Sequence, residues 1–169
     1  MASSVITRRE AIQLISTSSK RQHLLLVAAL MKRLAKWLDE DENEWQLVGL
    51  LHDLDYDQTV TDRSRHGMLA ASQLEGRLPE RCLHAIRSHD FRTGVKPEST
   101  LDLALISSDA LISLLSRRGR QRLTFTQAMK EIESESIERP WIKDDILGCR
   151  KFGIEPLEFI RLAQNLKAK

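Results

Sequence analysis

The sequence predicts an all-α fold, a bundle of helices, and three features carry that prediction. Apolar residues recur three and four apart, as along Leu26, Val27, Leu30, Met31, Leu34 and Leu38. No segment sustains the period-two alternation of a half-buried strand, and no internal repeat is visible. Leu, Ala, Arg and Glu are frequent while aromatics make up only 5% of the chain, a balance that favours helix.

Taken in order, "TRREAIQLIS" carries Thr7 and Glu10 at capping-box spacing, which predicts a short first helix. Residues 20–38 form the first long helix by their apolar spacing. The acidic run "DEDENEW" suits a loop leading into a helix N-terminus, where carboxylates meet the macrodipole favourably. That helix is expected over about 43–55. A polar interval, "YDQTVTDRSR", leads into a helix over about 64–76 that the glycine ends. Pro79 suits the first helical position of "PERCLHAIRSH", and "DFRTGVKPEST" is a loop by its Gly, Pro and Ser/Thr content. Residues 101–115 form the most apolar helix, which runs out at Gly119. Three weaker helices, over about 125–134, 142–152 and 155–167, complete the chain.

The bulk numbers narrow the function classes. With 41% hydrophobic and 30% charged residues, seven glycines and four prolines, the 169 residues are expected to form one ordered domain. A formal net charge of +2 is too near neutral for electrostatics to predict nucleic-acid binding. The basic run "SRRGRQR", with Arg117, Arg118, Arg120 and Arg122, follows a helix C-terminus, where cations meet the dipole favourably. "MASSVITRRE" has no apolar stretch after its charges, so a secretory leader is not expected, and no run is apolar enough for a membrane span. Cys82 and Cys149 lie far apart with no partner motif, which suits a reducing cytoplasm.

The chemistry is concentrated in polar residues that fall on apolar helix faces. "LLHDLDYD" puts His52 and Asp53 behind Leu47, Leu50 and Leu51, and a buried carboxylate needs a cation or several donors opposite it. His23 lies four before Val27 and seven before Leu30, on the face that meets the core. Asp109 shares a face with Leu105, Ile106 and Ile112, and no base lies at i+4 to pair it. His89 follows Ala85, Ile86 and Cys82 on an inner face, whereas His84 points about 140° away, to the surface or to an outer partner. His66 heads "RHGMLAA", where Gly67 allows something to approach the backbone closely. Singly, each has an ordinary explanation: a satisfied core histidine for His23, a buried salt bridge or cap for Asp109, capping for His66. Jointly, imidazoles and carboxylates from successive helices form a donor set suited to zinc, manganese or iron.

These residues resemble the HD-domain superfamily of metal-dependent phosphohydrolases. The resemblance rests on His23, the "HD" of His52 and Asp53, "RHGMLAA" with His66, "AIRSH" with His89 and "SSDAL" with Asp109. It implies an HD-type helical bundle whose metal-binding core spans about 20–115, with a C-terminal helical extension over about 123–169. It further implies that His23, His52, Asp53 and Asp109 hold one divalent metal. His66 and His89 look like the additional histidines of two-metal members, among them the bacterial diadenosine tetraphosphate hydrolases of the HD type, in which the "HD" aspartate bridges both ions. The residues "LDYD" depart from that branch.

The function this implies is hydrolysis of a small phosphorylated substrate, a nucleotide or related ester, with one or two ions of Mn, Fe, Zn or Mg. A divalent ion lowers the pKa of its water to about 7 in favourable cases, and attack on phosphorus in line would follow. Asp53 and His52 are the expected catalytic pair, Asp53 as ligand first and proton acceptor second. Arg63, Arg65, Arg87, Arg92 and Lys96 flank the histidine motifs and are candidate phosphate-binding cations. Asp55 could turn back to support a ligand histidine, whereas Asp57 reads as part of a polar turn. The alternative function is an HD-fold module that senses a nucleotide or partner without turnover.

Overall fold

A computed structural model of the chain describes residues 5–117, 119 and 123–168. Among these residues there are nine α-helices and no strand, as the apolar spacing predicts. Helix α1 (Arg8–Leu14) opens with the expected capping box: the Thr7 amide donates to Glu10 at 2.8 Å while the Thr7 hydroxyl accepts from the Glu10 amide. Helices α2 (Arg21–Leu38) and α3 (Glu42–Leu51) are the most extensively packed pair. Their connection is short because Asp39 adopts left-handed angles and Asp41 caps α3, accepting from the Asn43 and Glu44 amides at 2.9 Å. The two helices meet backbone to backbone at Gly49, where a Cβ would lie 2.7 Å from Ala28 Cα.

Helices α4 (Met68–Gln73), α5 (Glu80–Ser88) and α6 (Thr100–Arg117) complete the central bundle. Helix α6 is its spine, packed on both α2 and α5 and buried on most of its sides. Helices α7 (Phe125–Glu138), α8 (Trp141–Leu147) and α9 (Pro156–Ala163) form the C-terminal layer, and each packs on α6. Helix α9 also reaches α2, where Arg33 Nη1 donates to the carbonyls of Leu162 and Gln164. Arg117 closes α6 and pairs with Glu135 at 3.0 Å, whereas Arg118, Arg120 and Arg122 lie outside the described residues. No helix among the described residues is long and apolar enough to cross a membrane.

Several boundaries differ from the sequence expectation, among them the ends of α7 and α9, at Glu138 and Ala163. Helix α3 stops at Leu51; His52 keeps helical angles as its C-cap and the chain then turns. Helix α4 begins only at Met68, because Gly67 is left-handed (φ 80°) and interrupts the run; His66 before it is extended (φ −66°, ψ 130°). Pro79 is the N-cap of α5 rather than its first residue. Residues 142–152 divide into α8 and a 3-10 segment, Gly148–Phe152.

Candidate metal centre

Three imidazoles are held so that one ring nitrogen is occupied and the other faces a common space. His52 Nδ1 donates to the Gly49 carbonyl one turn back, at 3.0 Å, and His89 Nδ1 donates to the Ile86 carbonyl at 2.6 Å. His66 Nδ1 donates to Asp55 Oδ1 at 2.8 Å. Fixing Nδ1–H in this way leaves the Nε2 lone pair for a cation and sets the ring orientation. The His52 and His89 ring centres are 5.0 Å apart, those of His66 and His89 4.9 Å. His23, in the first turn of α2, brings a fourth ring 5.7 Å from His52.

Two carboxylates meet these nitrogens. Asp53 Oδ1 lies 2.8 Å from His66 Nε2, 3.3 Å from His89 Nε2 and 3.5 Å from His52 Nε2. Asp109 Oδ1 lies 2.8 Å from His23 Nε2 and 3.8 Å from His52 Nε2. The sequence places Asp109 among apolar residues, and in the structure its side chain opens into a cavity and is 32% exposed. His23 Nε2 and His52 Nε2 are buried and have no aligned hydrogen bond. Orphaned buried nitrogens beside carboxylate oxygens are the arrangement that a cation satisfies. Among the described residues, two groups have ligand atoms all within 4.8 Å of one another: His23, His52 and Asp109, and His52, Asp53 and His89. His52 belongs to both, and His66 adjoins the second through Asp53.

The electrostatics agree with this reading. Burial opposes ionisation of Asp53, yet His52, His66 and His89 hold its carboxyl well below the usual carboxylate range. Burial likewise opposes Asp109, and His23 and His52 outweigh it. His66 is driven up to about 9 because Asp53 and Asp55 outweigh its desolvation, and His23 and His89 are raised for the same kind of reason.

Asp55, left open by the sequence, has a defined task. Its Oδ1 accepts from His66, while its Oδ2 accepts from the Gly67 and Ala70 amides at 2.8 and 2.9 Å, capping α4 from a distance. Gly67 is required here on two counts: its positive φ, and the 2.4 Å that would separate a Cβ from the Ile86 carbonyl, with the His89 ring 3.1 Å away. Asp57 takes no part and accepts from Ser19 in the loop before α2. His84 is also outside the cluster, its Nδ1 donating to the buried Asp102 at 2.9 Å.

The cluster opens into a cavity of about 140 Å³, whose walls include Lys20, Tyr56, Arg92, Trp141 and Asp145. Of the arginines and lysine singled out in the sequence, Arg92 lines this cavity and pairs with Asp90. Arg63 stacks on Tyr56 at the rim, 4.0 Å from the ring centre. Lys96 lines an adjoining cavity. The structure does not bring Arg65 or Arg87 to the metal cavity: Arg65 is exposed in a 3-10 turn, and Arg87 is taken up by Glu80. Sequence reasoning missed Lys20, whose ammonium sits 4.2 Å from the Tyr56 ring centre; its signal was its place three residues before His23. It also missed Asp145, an acid delivered by α8 and pushed up to about 6 by burial and by the negative charge of Asp109, Asp144 and Asp90. Nothing local in the sequence marks it.

A protein-family model described as the HD domain matches residues 21–121, well over half of the chain. Neither a curated protein nor a solved structure matches. The matched span contains all six residues of the cluster and ends before α7, so Trp141 and Asp145 lie beyond it.

Proposed function

Because the chain belongs to the HD-domain family, whose members are in general metal-dependent phosphohydrolases, we propose that it hydrolyses a nucleotide or related phosphate ester. The observation that carries this reading is the single oxygen of Asp53 set within 3.5 Å of three imidazole nitrogens, with two further buried nitrogen–acid contacts beside it. In this reading His23, His52, Asp53 and Asp109 would hold one divalent ion, and His66 and His89, both beside Asp53, would hold a second. A bound ion supplies Lewis-acid activation of water and of the phosphoryl oxygen near neutral pH.

The remaining work falls to the chain itself. Asp55 keeps His66 Nε2 turned inward, and Gly49 and Ile86 do the same for His52 and His89. Lys20 and Arg92 meet the phosphate oxygens, and Arg63 adds positive potential from behind Tyr56. Water adds to phosphorus as the ester P–O bond breaks, and Asp53 relays the proton that the water releases to the departing oxygen. The substrate is a small molecule rather than nucleic acid, in keeping with the near-neutral charge.

The test is metal analysis of the purified protein together with turnover of 4-nitrophenyl phosphate in manganese, followed by mononucleotides and dinucleoside polyphosphates. The expected result is metal-dependent release of phosphate or nucleotide that Asp53→Ala removes. Bound metal without hydrolysis of any of these compounds would instead make the protein a sensing module.

A further inference from the structure

The metal cavity does not end at the metal ligands. Beside His89 it adjoins a second cavity of about 440 Å³, within the size range of small-molecule sites. His89, Phe91 and Asp145 line both spaces. The second is walled by apolar groups, Val95, Pro97 and Ile106, with Lys96 on one side. At the mouth of the first stand Phe91, 63% exposed, and Trp141, 42% exposed, their ring centres 5.5 Å apart.

That aromatic pair is built from distant parts of the chain. Phe91 follows the ligand His89 by two residues in the 3-10 turn Phe91–Thr93, and Trp141 is the first residue of α8. Packing of α8 on α6 therefore sets the aromatic pair over the mouth. Large rings left this open to water gain from a flat apolar partner, and the polar cavity beside them, lined by Lys20 and Arg92, suits phosphate. We propose that the space beside His89, lined by Phe91, Val95, Pro97 and Ile106 and flanked through Phe91 by Trp141, is a subsite for a planar aromatic group carried by the phosphorylated substrate. A nucleobase is one such group. Asp145, shared by both cavities, offers an acceptor to a ring N–H at the junction. This assignment rests on the phosphoester reading for the orientation of the ligand, with phosphate at the metals and ring in the apolar space.

Phosphonates, whose C–P bond resists hydrolysis, separate binding from turnover. Calorimetric titration of the manganese-loaded protein should show phenylphosphonate binding about tenfold or more tighter than methylphosphonate, the range that one stacked ring carries. Phe91→Ala and Trp141→Ala should each shrink that ratio towards one, and Trp141→Phe should retain most of it. Equal affinities in the unaltered protein, or a preference that survives both alanine variants, would overturn the subsite. Hydrolysis of phenyl and methyl phosphate measured in parallel keeps the two readings apart. Ring-dependent binding without turnover retains the subsite and removes the hydrolase, whereas turnover without ring preference removes the subsite alone.

Discussion

Asp53 crowds one carboxylate oxygen against three imidazoles, and each of those imidazoles is turned by a partner of its own. Replacing the central groups, in Asp53→Ala or His52→Ala, should lower both bound metal and hydrolysis by at least about a hundredfold. Asp55 makes a sharper test because it touches no cation in this arrangement: Asp55→Asn should weaken manganese binding by about ten- to a hundredfold through His66, measured by titration. Unchanged affinity would remove Asp55 from the centre. His23, His52, Asp53, His89 and Asp109 could be read from the sequence because each interrupts an apolar face, whereas His66 heads a helix and is singled out by the joint pattern and the family resemblance. Asp55 could not be assigned, since its partners Gly67 and Ala70 lie 12 and 15 residues on and meet it only after the chain turns back. The metal-free protein should also betray the cluster by its pH dependence. Interactions of His66, raised to about 9, stabilise the fold fully below the ordinary imidazole range and lose their contribution as pH climbs through about 9. Asp53 and Asp109, held low, contribute above the ordinary carboxylate range and lose that contribution only in stronger acid. Thermal melts in chelator should therefore fall between about pH 7 and pH 10, and a flat profile would contradict the pairing.

Helices α1 and α2 follow the sequence closely, because a capping box and an uninterrupted apolar stripe are local signals. The stretch from His52 to Met68 does not, because its backbone follows the site rather than a period. A left-handed Gly67 cannot be seen in the apolar spacing of 64–76, and it is what lets the chain pass against Ile86 and His89. Gly67→Ala should destabilise the protein by about 1–3 kcal/mol in urea unfolding, adding collision with a carbonyl to backbone strain. Gly94 has a similar φ of +77° with nothing within 4 Å of a Cβ, so Gly94→Ala should cost less. Equal losses would mean that the close approach at Gly67 carries no weight.

At the scale of the molecule, the cluster lies where the start of α2, the end of α3, the end of α5 and the middle of α6 converge, and the C-terminal layer closes one wall with Trp141 and Asp145. That wall was hidden from the sequence, since α8 shows only a weak apolar pattern and its acid acquires meaning from Asp109 across the cavity. A ligand that binds only the folded chain stabilises it by mass action, so manganese at a hundred times its dissociation constant should add about 2.7 kcal/mol, or roughly 5–10 °C in Tm for a chain of this size. The most direct measurement is the metal content of the purified, folded protein by elemental analysis, set beside that of Asp53→Ala and His23→Ala. The account predicts one or two divalent ions per chain in the unaltered protein and a marked loss in both variants. A fully helical protein that carries and takes up no divalent metal would contradict it.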